Sequence, residues 1–356
     1  MVRFFAFLAV FVYHTVYDHA KPLGSAQVPA WISEAQISIG RGGAYGVDLF
    51  FVLSAYLITE LLIREKERLG TLDVKSFYIR RILRIWPLYY LFVPLAAIVP
   101  FLDPYHEFTW RYWLPFLLLA GNWSTIAFGP PYSAALPLWS VSVEEQFYLL
   151  WPPIVARLSL RNIALAAVVM IAIANCARIV VLLLHGSGWS IWANTLARLD
   201  PMAAGILLAV FLRGRSFDLG TAWRLLLIGG GALSIVVTGH IAASWYDRLP
   251  WVGTLVSYPV VTIAATAIVV GVIGIQARLL PLEYLGKISY GLYVYHQMCI
   301  MITDRILLGH GVLHSVLRET LALAITILVA ALSYELFEKF FLGLKRRFTY
   351  VQSRPV

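Results

Sequence analysis

Ten long apolar stretches joined by polar connections leave this chain one kind of environment to fold in. They run near residues 3–19, 44–63, 79–101, 144–157, 162–184, 199–212, 223–241, 252–276, 286–308 and 320–341. A helix rises about 1.5 Å per residue, so roughly 20 apolar residues cross a hydrocarbon core about 30 Å thick. Without water, the backbone must satisfy its hydrogen bonds inside each segment, which selects helices. The expectation is an all-α polytopic membrane protein of about ten transmembrane helices. The stretches at 144–157 and 199–212 are short for a crossing and are expected to be tilted, broken or covered by neighbours. Composition agrees: 60% of the 356 residues are hydrophobic and 13% charged, with a mean hydropathy of +0.77. Soluble domains hold about 45–50% and 25%.

Loop charge gives an orientation. With the N-terminus inside, the connections at 63–85, 157–161, 213–224, 278–287 and 339–356 carry 19 of the 28 Lys and Arg. Lys21, Arg41, Arg111, Arg198, Arg248 and Arg318 fall on the other side, and Arg3, Arg178 and Arg305 in or at the edge of spans. That bias is the positive-inside rule, and it predicts an even span count with N- and C-termini both cytoplasmic. The net charge of +9 therefore reports topology, not nucleic-acid binding. Cys176 and Cys299 both fall within spans, which argues against a metal site or a disulfide framework. The N-terminal apolar run lacks a basic lead and an Ala-x-Ala-like cleavage site and is expected to be retained. No repeat or linker divides the chain. One membrane domain is expected over residues 1–345, with a basic cytoplasmic tail at 346–356. The longest outer segment, 102–143, holds Trp110, Trp113, Trp123 and Trp139, and reads either as an interfacial anchor or as an acceptor-binding surface.

Four clusters place polar groups where hydrocarbon makes them expensive, and ionisable groups there are functional candidates. Arg3 and His14 are eleven residues apart, three helical turns, so they share a face about 16 Å apart along the axis. Asp18, one turn beyond His14, is placed either to orient the imidazole or to face the outer interface. In the second cluster, Asp48 and Ser54 interrupt the apolar run Gly46-Val-Asp-Leu-Phe-Phe-Val-Leu-Ser54; Ser54 often only bonds back to its own helix. In the third, Arg80, Arg81 and Arg84 precede Pro87. They are read either as a positive-inside anchor or as a phosphate grip, because guanidinium forks bind phosphate oxygens in pairs. The fourth, Trp139-Ser140-Val-Ser142-Val-Glu144-Glu145-Gln146-Phe147, puts two acids at the opening of a helix, where the dipole favours them. Serine capping explains part of it but leaves one glutamate over.

Together these stretches resemble the acyltransferase-3 family of integral membrane O-acyltransferases, from Arg3 to about Phe341. The resemblance is carried by Arg3-x10-His14, Gly46-Val-Asp-Leu-Phe-Phe-Val-Leu-Ser54, Arg80-Arg-x-x-Arg-x-x-Pro87 and Trp139-Ser-x-x-Val-Glu144-x-Gln-Phe-Tyr-Leu. It continues in Arg198-Leu-Asp200-Pro-Met-Ala-Ala-Gly205, in Leu285-Gly-Lys-Ile-Ser289-Tyr290-Gly-Leu-Tyr293-Val-Tyr-His296, and in Tyr334 with Glu338-Lys339. Ala55-Tyr56 replaces the family's usual Gly-Phe, and Phe340 stands where Pro commonly follows Glu-Lys. The resemblance also implies a single-domain member, without the extracytoplasmic hydrolase-like domain that some relatives append.

The resemblance implies transfer of an acyl group, often acetyl, from cytoplasmic acyl-CoA to a hydroxyl of an extracytoplasmic or membrane-associated carbohydrate, in a bacterial cytoplasmic (inner) membrane. Acyl-CoA is a co-substrate, and no permanently bound cofactor or metal is expected; the partners are the carbohydrate or glycolipid acceptor and membrane lipids. His14 is the expected general base, oriented by Asp18 or Glu144. Arg3, Arg80, Arg81 and Arg84 are the expected contacts of the CoA phosphates, with the pantetheine arm delivering the thioester up a pore. Asp48, Ser140, Tyr290 and His296 are expected at the acceptor, although for His296 a core or helix contact is the readier role. The other reading is a proton-coupled transporter or lipid-linked sugar flippase using the buried His, Arg and Glu as a relay. Transporters usually show repeat-related halves, and none is visible here.

Overall fold

The computed structural model describes residues 1–18, 29–98, 109–213, 219–248, 250–275, 279–307 and 312–349, and every regular element among them is helical. Helix α1 (Val2–Val12) runs directly into a π-helical turn at Tyr13–Asp18. Next come α2 (Ala30–Gly43), α3 (Gly46–Leu69), α4 (Val74–Ile98) and the short α5 (Trp110–Leu117) and α6 (Gly121–Phe128). Helices α7 (Leu138–Arg157), α8 (Leu160–Leu183) and α9 (Gly188–Trp192) follow, and a 3-10 turn at Leu196–Arg198 feeds α10 (Leu199–Leu212). The remainder is α11 (Thr221–Arg248), α12 (Pro250–Leu255), α13 (Ser257–Val272), α14 (Leu280–Lys287), α15 (Ser289–Ile306) and α16 (Val312–Ser333). A second π turn at Tyr334–Glu338 leads into α17 (Lys339–Lys345) and a 3-10 turn at Arg346–Phe348.

Among the described residues, each of the ten apolar stretches is mainly helical. Five segments are long and apolar enough to cross a membrane: Trp31–Leu69, Leu160–Leu183, Thr221–Ala242, Pro250–Val272 and Leu313–Phe348. Val2–Val16 forms a shorter apolar helix. Helix α4 carries its three arginines and α7 its two glutamates, while α10 has only 14 residues. The stretch expected at 144–157 belongs to a helix of 20 residues that begins at Leu138. Its first turns hide behind serines, which satisfy themselves locally: Ser140 Oγ donates to Pro137 O (3.0 Å) and Ser142 Oγ to Leu138 O (3.3 Å). Leu138, Trp139, Val141 and Val143 bury the rest of that turn.

The chain divides into two compact units, residues 1–50 with 219–332 and residues 51–218 with 333–356. In the first, α1 packs on α2, α14 and α15, and α11 runs along α2 and α13. Two glycines decide how closely α1 approaches. A Cβ at Gly43 would collide with the Ala9 carbonyl oxygen, and one at Gly46 would stand 2.5 Å from that of Ala6. Such small-residue contacts replace the hydrophobic drive that lipid cannot supply between helices. Arg224 closes the end of α13, its Nη1 donating to Gly271 O (2.9 Å) and Ile273 O (2.8 Å), a favourable place for a cation.

In the second unit, α10 lies against α3 at Gly205, where a Cβ would collide with the Val52 carbonyl oxygen. Lys66 of α3 caps the end of α7, donating to Val155 O (3.0 Å) and Leu158 O (2.9 Å). Trp151 of α7 donates its Nε1 proton to Thr59 Oγ1 of α3 at 2.8 Å. Buried polar groups here are thus tied helix to helix.

Candidate functional site

In the first unit the chemistry gathers where α1 turns into its π segment. A π turn widens the helix and swings the following side chains off the α-helical phase; such insertions are frequent at functional sites. His14 is the second residue of that turn and is buried. Thr15 bonds back to Phe11 O at 3.0 Å, which relieves one carbonyl at the transition. Arg3 lies near the other end of α1, half-buried. Of the eleven steps between Arg3 and His14, all but the last two fall within the α-helix, whose residues run to Val12.

His296 of α15 meets His14, the two imidazole centroids lying 5.2 Å apart with the rings inclined at 49°. His296 is 0% exposed. Phe7 stands edge-on to it at 5.9 Å and the Tyr293 ring is tilted beside it at 5.5 Å, so much of the surround is aromatic carbon. His296 Nδ1 lies 2.6 Å from Tyr293 O. A carbonyl only accepts, so Nδ1 carries the hydrogen and the lone pair of the neutral ring sits on Nε2. The sequence favours core or helix contact over chemistry for His296; the structure sets it beside the other candidate histidine. Asp48 is buried in the first turn of α3, where the helix dipole favours a carboxylate. Tyr290 is half-buried on α15, six residues before His296. Asp18 ends the π turn, and its side chain lies outside the described residues.

In the second unit the three arginines of α4 part company. Arg80 is engaged on two sides, its Nη2 donating to Glu65 Oε2 at 2.8 Å and its Nη1 to Phe348 O at 2.6 Å. Both ends of the ion pair are buried, at 4% and 1% side-chain exposure. Arg80 thereby fastens α4 to α3 and to the turn after α17. Arg81 lies over the rings of Phe77 and Tyr148, 5.4 Å from each. Arg81 and Arg84 are only half-buried.

The two glutamates of α7 are also distinct. Glu145 accepts from Trp86 Nε1 at 2.9 Å, and Glu144, beside it, is half-buried. Ser140 is buried, and its hydroxyl donates to Pro137 O at 3.0 Å. Gln146 enters a closed ring with Asn122 and Thr195. Gln146 Nε2 donates to Asn122 Oδ1 (3.0 Å), Asn122 Nδ2 to Thr195 Oγ1 (3.1 Å), and Thr195 Oγ1 to Gln146 Oε1 (2.6 Å). The ring ties α6, α7 and the turn before α10 together.

Sequence reasoning passed over several of these groups. Arg178 of α8 and Asp200 of α10 form a buried ion pair, and Arg178 Nη2 also donates to Ala197 O at 2.8 Å. Arg198 is fully buried, 4.6 Å above the Trp192 ring. The available signal was an arginine inside the apolar run of α8 with an acid downstream; Glu65, hidden in the charged run Arg64-Glu-Lys-Glu-Arg68, gave none. Among the described residues no group of three or more His, Cys, Asp or Glu is arranged to hold a metal ion.

A helical chain with five segments long and apolar enough to cross a membrane is a membrane protein. The chain belongs to the acyltransferase-3 family: the family model described as "Acyltransferase domain" matches residues 1–335. It is 28% identical over 357 residues to O-acetyltransferase OatA of Staphylococcus aureus (strain NCTC 8325 / PS 47), covering 95% of this chain and 55% of that protein. It is 28% identical over 322 residues to peptidoglycan O-acetyltransferase OatA of Listeria monocytogenes serovar 1/2a (strain ATCC BAA-679 / EGD-e), covering 85% and 51%. Against the putative peptidoglycan O-acetyltransferase YrhL of Bacillus subtilis (strain 168) the identity is 28% over 362 residues, covering 95% and 53%. The chain thus spans about half the length of the curated relatives it matches. No solved structure matches it.

Proposed function

We propose that this chain is a membrane O-acyltransferase that moves an acyl group, acetyl in the first instance, from cytoplasmic acyl-CoA to a carbohydrate hydroxyl, peptidoglycan being the acceptor class its relatives' names suggest. The observation that carries the reading is the buried pair of His14 and His296, on two of the stretches through which the sequence resembles the family. His14 acts as general base. It takes the acceptor hydroxyl's proton as that oxygen attacks the thioester carbonyl; the new C–O bond forms, the C–S bond breaks, and the proton goes on to the departing CoA thiolate. The competing route, an acyl-histidine intermediate, uses the same residue as nucleophile.

Arg3, Arg81 and Arg84 are the proposed contacts of the donor phosphates, with Arg80 holding the helix from which Arg81 and Arg84 project. Asp18 or Glu144 orients the base, and Asp48, Tyr290 and Ser140 attend the acceptor, Ser140 through its place in the first turn of α7. We further propose about ten spans in a bacterial cytoplasmic membrane, both termini and the residue 346–356 tail on the cytoplasmic side, and residues 1–345 as one functional membrane domain.

The test is reconstitution of the full chain in liposomes with acetyl-CoA and soluble peptidoglycan fragments. Acceptor-dependent release of free CoA is expected, and His14→Ala is expected to remove it while the protein stays folded in detergent. Undiminished transfer by His14→Ala would take His14 out of the mechanism.

A further inference from the structure

A base in a tight apolar surround works only if its ring is turned to the substrate, and α15 supplies the group that turns it. His296 cannot choose its own tautomer, because the Tyr293 carbonyl 2.6 Å away claims the hydrogen on Nδ1. Its Nε2 is therefore the acceptor edge of a fully buried ring whose centroid is 5.2 Å from that of His14. An imidazole atom lies about 1 Å from its ring centre, so at this centroid separation nitrogens turned toward one another stand about 3 Å apart, within hydrogen-bonding range. Phe7 flanks the ring edge-on and Tyr293 at a tilt. Nor can α1 readily drift away, since Gly43 and Gly46 lie directly against its backbone at Ala9 and Ala6.

We propose that His296 is a positioning residue for His14. Its Nε2 accepts the ring N–H of His14, which selects the tautomer whose other nitrogen faces the acceptor hydroxyl and steadies the imidazolium formed when that nitrogen takes the proton. The proposal rests on His14 being the general base. It assigns His296 a role in turnover rather than in core packing or acceptor binding.

Two amides separate these roles. The side-chain amide of Gln comes nearest the place of imidazole Nε2, and that of Asn the place of Nδ1. A packing role that runs through the Tyr293 carbonyl is better replaced by Asn; the proposed role is better replaced by Gln. The experiment compares His296→Gln, His296→Asn and His296→Phe with the parent and His14→Ala in the acetyl-CoA liposome assay. Folding of each is checked by monodispersity and unfolding midpoint in detergent.

Expected are a fall in kcat of about 10²-fold for His296→Phe and His296→Asn, the low end of what a positioned base contributes, and recovery by His296→Gln to within about tenfold of the parent. The acetyl-CoA KM should stay unchanged throughout. Folded variants with His296→Asn as active as or more active than His296→Gln would overturn the assignment, as would equal activity in all three. An unaltered kcat with a raised acceptor KM would make His296 a binding residue instead. Full activity in His14→Ala would overturn the general-base reading itself, whereas an inactive His14→Ala with no rescue by Gln overturns only the role of His296.

Discussion

Arg80→Ala is expected to cost folding before it costs chemistry. The substitution removes a guanidinium held by Glu65 at 2.8 Å and by Phe348 O at 2.6 Å, and leaves the Glu65 carboxylate, 1% exposed, without its cation. Breaking a buried pair by deleting one partner typically destabilises by about 3–5 kcal/mol, because the remaining charge is stranded. That figure already includes most of the lost bond to Phe348, so the two are not added. Removing both charges is different. Glu65→Leu with Arg80→Met replaces the pair by side chains of similar reach, a change that is often neutral or stabilising. The assay is unfolding of the purified chain in detergent micelles, titrated with sodium dodecyl sulfate and followed by circular dichroism. Expected are a large drop for Arg80→Ala and recovery of most of it in the double variant. A loss under about 1 kcal/mol for Arg80→Ala, the range of a solvent-exposed pair, would refute the burial argument. So would a double variant no better than the worse single one. Donor titration completes the test: the folded fraction of Arg80→Ala should keep the parent's acetyl-CoA KM.

The neighbouring arginines should behave in the opposite way. Arg81→Ala and Arg84→Ala are expected to raise the apparent acetyl-CoA KM by about tenfold or more each, the value of one hydrogen bond to a charged group, with kcat and the unfolding midpoint little changed; an unchanged donor titration would return them to membrane anchors. Gly205→Leu should lower the unfolding midpoint sharply, because its Cβ alone already collides with the Val52 carbonyl oxygen and α10 must move off α3. Retained stability in that variant would mean that the two helices do not depend on this contact.

What the sequence revealed follows from how each feature is encoded. Helices were legible because hydropathy is a sum over some twenty residues, and one polar residue barely changes it. The same averaging hid the first turns of α7, where Ser140 and Ser142 lower the mean although their hydroxyls are satisfied on Pro137 O and Leu138 O. His14 and Asp48 stood out because each is a polar residue in an apolar run. The separate behaviour of Arg80, Arg81 and Arg84 did not, since their spacing is identical whether a guanidinium meets Glu65, an aromatic face or a phosphate. Glu65 was camouflaged by the charges on either side of it. The ring of Asn122, Gln146 and Thr195 was equally invisible, being assembled from residues up to 73 apart in the chain.

The two units bury polarity by different means, and the difference bears on where the reaction happens. In residues 51–218 and 333–356, several of the buried charges are matched by permanent opposite charges, Arg80 with Glu65 and Arg178 with Asp200. An arginine is ionised at every accessible pH, so such pairs fix helices in register but have no proton to trade. Between α15 and the π turn that continues α1, two buried imidazoles meet. Imidazole is the side chain that can be buried without charge and still accept a proton in the neutral range, provided something nearby stabilises the cation it becomes. A second imidazole with its acceptor nitrogen preset meets that need without introducing a permanent charge into hydrocarbon. On this argument, His296→Arg would be worse than His296→Phe: it places a fixed cation against the site where a second one must form, and the loss should appear in kcat beyond that of His296→Phe.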